Sequence, residues 1–326
     1  MTAVAATTPL CSALDLRAAV RSLGPATRLP PTIRLDRLLR CEPARGQIEV
    51  QCRAGWDAVG AELASAAGVD EGALRAAFAC LPPTVGACLD ANPALPDGSP
   101  FVSAVESVAV VTADGELKCA SRDRHDELFR ALVGGRGCLG AVYSVTLAIA
   151  ALRAAARDAT PPVCLEIPAG DDEGPDDRLV LFVPPHALDE LVATLRQRTA
   201  DNRIALRSLS ARRARPDRET LLAWATEDLA VLEARFARPP TLPARVAAAQ
   251  VRKDLIDAAL EHGGRFDLDT GFDASRRQVL AGYPGISAFV AEAKRFDPGG
   301  RFAGPWLRHY AALLACGPVA GRWSDL

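Results

Sequence analysis

Lysine is nearly missing from this chain: it occurs only at 118, 253 and 294, so arginine carries almost all of the positive charge. With 38 basic residues against 40 acidic ones the formal charge is −2, which leaves no net field to draw in a polyanion. Phosphate-dominated binding needs a basic stripe. Only Arg207 to Arg218 is dense in arginine, and it reads as a solvated loop, so nucleic acid is not expected as a partner. No C-x-x-C pair occurs among the nine cysteines at 11, 41, 52, 80, 88, 119, 138, 164 and 316, and no Cys/His group has zinc spacing. The odd, scattered set fits reduced, half-buried thiols rather than a disulfide framework. No apolar run is long enough for a bilayer: the longest, residues 140–152, falls short of the ~20 residues a spanning helix needs. The pattern of a secretory signal is also missing, which leaves a cytoplasmic location as the expectation. An organelle transit peptide is the one alternative, because the chain up to Arg34 is rich in arginine and poor in acids.

What is present is an ordinary globular composition, 49% hydrophobic over 326 residues, enough for one large domain or two modest ones. Residues 1–31 carry little pattern. Residues 46–55 alternate like a strand that stops at Gly55, and Trp56 to Ala67 places Trp56, Val59, Leu63 and Ala67 on one helical face. Val105 to Thr112 and Glu116 to Ala120 flank Asp114-Gly115, a favoured hairpin turn. From Ala151 the chain turns polar, and Gly170 to Asp177 reads as an exposed acidic loop. Strands are predicted over Leu179–Val183, Ile204–Leu209 and Leu221–Leu229. Helices are predicted after Pro184-Pro185, over Ala244–Glu261 with a Gly263-Gly264 cap, and over Gly285–Arg295.

The stretch with most chemical content is Gly134 to Gly140, within which Gly135 to Gly140 spells G-x-G-x-x-G. As a dinucleotide fingerprint it needs a strand before and a helix after. Here a helical run, 125–133, precedes it and a β-branched alternating run, 141–149, follows, so nicotinamide binding is disfavoured. Glycine lacks Cβ and tolerates positive φ, so the loop invites close approach of a cofactor or of a packed neighbour.

Several segments then resemble, in order, the FAD-linked oxidases of the vanillyl-alcohol oxidase superfamily. These are I-E-V-Q-C-R-A-G-W-D-A-V-G-A-E-L from Ile48, T-V-G-A at Thr84 to Ala87, V-T-A-D-G-E from Val111, and E-L-F-R-A-L-V-G-G-R-G-C-L-G from Glu127. G-G-R-F at Gly263, Tyr283-Pro284 and F-D-P-G-G-R-F from Phe296 are similar to the C-terminus of the aldonolactone oxidase and decaprenylphosphoryl-ribose oxidase branch. The resemblance implies an α+β, bilobed FAD-binding (PCMH-type) fold with an inserted antiparallel-sheet cap lobe. On that scheme residues 1–150 form the FAD lobe, 151–264 the substrate lobe, and 265–326 a segment returning to the FAD lobe. It also implies noncovalent FAD held by main-chain amides of Thr84, Val85, Gly86, Ala87, Gly134, Gly135, Gly137, Gly140 and Ala141. The activity implied is an oxidoreductase, an oxidase or dehydrogenase passing hydride from a secondary alcohol of a small sugar- or lactone-like substrate to the flavin.

The chain departs from that pattern in places that bear on chemistry. The family's glycine-rich phosphate loop has only Arg21-Ser22-Leu23-Gly24-Pro25 as a counterpart, and no histidine precedes His125 to attach a flavin covalently. Ala87 stands for a second glycine, and Asn92-Pro93 follows where the family has a histidine-glycine pair. Thr270 falls about where a flavin-side lysine belongs, which leaves Asp267, Asp269 and Thr270 as catalytic candidates, or as residues of a solvated loop. The middle lobe is also short for the family. The alternative expectation is therefore a degenerate, flavin-free or weakly binding paralogue that serves as a binding or assembly module.

Overall fold

The computed structural model describes residues 11–24, 34–165 and 175–315. It is a mixed α and β chain with two antiparallel sheets. Contacts divide it into two compact units: 1–162 with 212–229 and 292–302, and 163–211 with 230–291 and 303–326. By this division residues 212–229, placed in the substrate lobe by sequence order, group with the first unit, and of the segment 265–326 expected to return to it only 292–302 does.

In the first unit, α1 (Ala13–Ser22), β1 (Leu38–Glu42), β2 (Gln47–Gln51), α2 (Trp56–Ala67), α3 (Glu71–Phe78) and α4 (Val85–Ala91) are followed by β3 (Val105–Val111), β4 (Leu117–Ser121), α5 (Asp126–Leu132), β5 (Ala141–Ala148) and α6 (Ile149–Arg157). The sheet order is β1-β2-β5-β3-β4. Period-two burial drives it: Ile48 and Val50 of β2, Val108 and Val110 of β3, and Val145 and Leu147 of β5 are all buried. α2 lays Trp56, Val59 and Leu63 on the core, and the Trp56 ring lies 4.9 Å from Phe78 and 6.1 Å from Phe101. Its indole N–H donates to the Pro82 carbonyl at 3.0 Å, so the buried ring leaves no unmet donor.

The β3–β4 hairpin turns at Asp114-Gly115, with Gly115 at φ +78°. α1, in a stretch that reads as patternless, is nucleated by a Ser12–Asp15 capping box and buries only Leu16 and Val20. Its Arg17 and Arg21 reach Glu116 at 3.0 and 2.7 Å. Two buried apolar residues are too few to signal a helix whose partner surface, the hairpin, lies nearly a hundred positions away. The start of the polar stretch after Ala151 is likewise helical, up to Arg157, because α6 places Leu152 and Ala155 on the core.

The second sheet has the order β10-β7-β9-β8-β6. Its strands are β6 (Val163–Cys164), β7 (Asp176–Val183), β8 (Leu206–Ala214), β9 (Leu229–Ala237) and β10 (Arg265–Phe266). Among these lie α7 (Leu188–Asp201) and α8 (Leu242–Glu261), followed by α9 (Arg276–Gly282), α10 (Ile286–Phe296) and α11 (Pro305–Ala315). α7 buries Leu191 and Leu195, and α8 buries Leu255, Ile256 and Ala259. Two expectations are corrected here. The arginine-dense segment is not a solvated loop up to Ala214 but strand β8, and its arginines are paired: Arg207 with Asp176, and Arg213 with Asp228 at 3.3 Å. Residues 221–228 are turns rather than a strand, and β9 begins at Leu229; the apolar residues that mimic strand periodicity, Leu222, Trp224 and Ala225, are buried from a non-repeating backbone. Of the acidic loop, residues 170–174 lie outside the described residues, while Asp176 and Asp177 already belong to β7. Among the described residues no helix is long and apolar enough to cross a membrane.

The hairpin turn carries a titratable lock. Burial acts to raise the Asp114 pKa, but the Thr112 hydroxyl (2.6 Å), the Glu116 amide (2.9 Å) and Lys118 (3.1 Å) outweigh it and hold the carboxyl at about 2. A depressed folded pKa means stabilisation that is full above the ordinary value of 3.8 and lost as pH falls toward 2. Asp114→Asn is therefore expected to lower the denaturation midpoint at pH 6, with the gap to wild type closing between pH 4 and 2. A gap constant across that range would refute the assignment.

Candidate functional site

The two turns singled out by sequence meet at the two ends of one helix. Thr84 is the N-cap of α4, its hydroxyl accepting from the Ala87 amide at 3.2 Å. Seven residues further, the C-terminal carbonyls of α4 are taken by the glycine loop: Gly134 N–H donates to Leu89 O at 2.7 Å and Arg136 N–H to Asp90 O at 3.2 Å. At ~1.5 Å per residue the turns stand roughly 10 Å apart along that axis. A helix this short does not hold in water unaided, so the caps are what keep it.

Several of the amides that a phosphate cradle would need are in use. Val85 N–H donates to Ala54 O at 3.0 Å, and Gly86 N–H to Cys52 O at 2.6 Å. Gly135 N–H donates to Leu132 O and Cys138 N–H to Gly135 O, both at 3.0 Å. Ala141 opens β5 opposite Val111. The missing Cβ atoms are accounted for in the same way. A Cβ on Gly86 would lie 2.6 Å from Cys52 O, and one on Gly140 would lie 2.7 Å from Val110 Cγ2 and 2.8 Å from Val111 O. One on Gly135 would strike Ala131 O. Beside Gly137 stands the Asp90 carboxylate, 3.5 Å from where a Cβ would be, a charge that repels a pyrophosphate. The close approach Gly86, Gly135 and Gly140 permit is to packed neighbours, and the Val85, Gly86, Gly134 and Gly135 amides donate to the chain's own carbonyls. Of the phosphate-loop counterpart, Arg21 and Ser22 form the last turn of α1, and Arg21 pairs with Glu116.

Where the family pattern has a histidine-glycine pair, this chain buries a polar hub. Asn92 closes α4 in the left-handed region at φ +46° and is 1% exposed. Its Nδ2 donates to Asp217 Oδ2 at 2.9 Å, its Oδ1 accepts from Val102 N–H at 2.9 Å, and its carbonyl accepts from the Trp224 indole at 2.7 Å. Asp217 also accepts from Glu219 N–H at 3.0 Å and Thr220 N–H at 3.1 Å, and from the Thr220 hydroxyl. Around this hub, Arg122 pairs with Glu219 at 2.6 Å, and Arg212 donates to Ala94 O at 2.8 Å. Residues 212–229 thus cover the Asn92–Pro100 loop with each carboxylate and amide of the hub matched, which is what makes burial of an irregular loop tolerable. Sequence reasoning passed over Asp217, Thr220 and Trp224. The local signal was D-x-x-T, an Asx-type turn, but nothing in it names a partner 125 positions away.

The catalytic candidates belong to the second unit. Asp267 N–H donates to Val180 O at 2.9 Å, and the Thr270 hydroxyl accepts from Val180 N–H at 3.1 Å and donates to Asp267 O at 3.2 Å. Thr270 therefore pins its turn to β7, with donor and acceptor both used. Asp269 is exposed on the same turn. The turn is backed by Tyr283, whose hydroxyl donates to Phe266 O at 2.5 Å, and by Tyr310, whose hydroxyl donates to Leu268 O at 2.6 Å. Among the described residues no group of three His, Cys, Asp or Glu is placed to hold a metal ion. Comparison with protein-family models gives no match, and comparison with curated proteins gives none either.

The Gly86 contact predicts that Gly86→Ala, which drives a methyl onto backbone, costs roughly 1–3 kcal/mol of unfolding free energy. Gly299→Ala, where a Cβ meets nothing within 4 Å, should shift it by under about 0.5 kcal/mol. Equal effects in urea titration would show that the Cys52 contact is not a constraint.

Asn92→Ala strands the Val102 amide and removes one donor from Asp217, for an expected loss of about 3 kcal/mol. Proteolysis should then open the chain first within 212–229, and an unchanged cleavage pattern would contradict the hub.

Burial pushes both the Cys52 and Cys88 thiols up to about 12, with Asp90 adding to the rise at Cys52 and a contact with Trp56 opposing it at Cys88. At pH 8 on the order of one such thiol in 10⁴ is ionised. Native alkylation read by mass spectrometry is expected to label the exposed Cys80, Cys119 and Cys164 and to leave Cys52 and Cys88 unmodified until denaturant is added.

Proposed function

We propose that the chain follows the scaffold of the FAD-linked oxidases its motifs resemble, but takes flavin weakly or not at all, and works as a binding or assembly module. One observation carries this reading: at Gly86, the centre of T-V-G-A, both the amide and the space left by the missing side chain are occupied by the chain's own Cys52 carbonyl. The Asn92 hub, set where the family has a histidine-glycine pair, supports it, as does Thr270, whose hydroxyl is spent on β7.

A second reading is a noncovalent FAD-dependent oxidoreductase acting on a secondary alcohol of a sugar- or lactone-like substrate. It is favoured by the placement of the Thr84–Ala87 and Gly134–Gly140 turns at the ends of one seven-residue helix, within reach of a single extended ligand. In that reading FAD supplies the hydride acceptor.

An absorption spectrum of the purified protein, followed by FAD titration, separates the two. The module is expected to be colourless, with tryptophan fluorescence and melting temperature unmoved by FAD. Stoichiometric yellow flavin that bleaches on addition of a sugar or lactone bearing a secondary alcohol would reject it in favour of the oxidoreductase.

A further inference from the structure

We draw no further inference here: the strongest candidate, the open surface cavity of the first unit beside α5 and the last turn of α10, lined by Lys118, His125, Asp126, Glu127, Arg295 and Phe296, has each of its charged side chains already held in an ion pair, and nothing in the structure shows what would fill it.

Discussion

A 2.6 Å hydrogen bond from the Gly86 amide to the Cys52 carbonyl sets the position of α4 against the end of β2. Only glycine allows it, since a side chain at 86 would occupy the space of that carbonyl. From this contact the rest of the first unit's loop structure follows. α4 begins where the Thr84 hydroxyl can cap it, and ends where amides of the Gly134 loop can donate to its last carbonyls. A seven-residue helix has too few internal hydrogen bonds to pay its nucleation cost, so it exists because both ends are held by tertiary partners.

The same economy explains why the motif residues do not make a cradle. A helix N-terminus and a glycine loop are generic sources of unpaired amides, and either can be satisfied by an anion or by a carbonyl of the chain itself. In this protein Ala54, Cys52, Leu132, Leu89 and Asp90 supply those carbonyls. The Asn92–Asp217 hub goes further, because the Asp217 carboxylate, with its own set of donors, fastens residues 212–229 to the Asn92–Pro100 loop. A buried polar network of this kind is stable only when complete, which ties the Asn92–Pro100 loop and its cover into one unit.

Legibility in the sequence tracks the range of the forces involved. α2 spans Trp56–Ala67 as its apolar stripe predicts, and the Asp114-Gly115 hairpin forms between β3 and β4 as its turn residues predict. Both rest on local periodicity or local φ preference. α1 and α6 were not legible, because each buries only two or three residues and takes its stability from surfaces distant in sequence. Residues 221–228 misled in the opposite direction: buried apolar side chains alternate without a strand beneath them, since Asp217 and Asn92, not a ladder, hold the backbone in place.

For the candidate site the division is sharper. That the Gly134–Gly140 loop invites close backbone approach is legible in its glycines, while Gly86 stands out only through the resemblance. What approaches is not inherent in the sequence: Cys52 O, Ala131 O and Val110 are neighbours through folding, and a string of letters is equally compatible with a pyrophosphate in their place. Residue type decides which contacts are sterically open, while the packed chain decides which group fills them, because hydrogen-bonding capacity is met by whichever partner the fold delivers first.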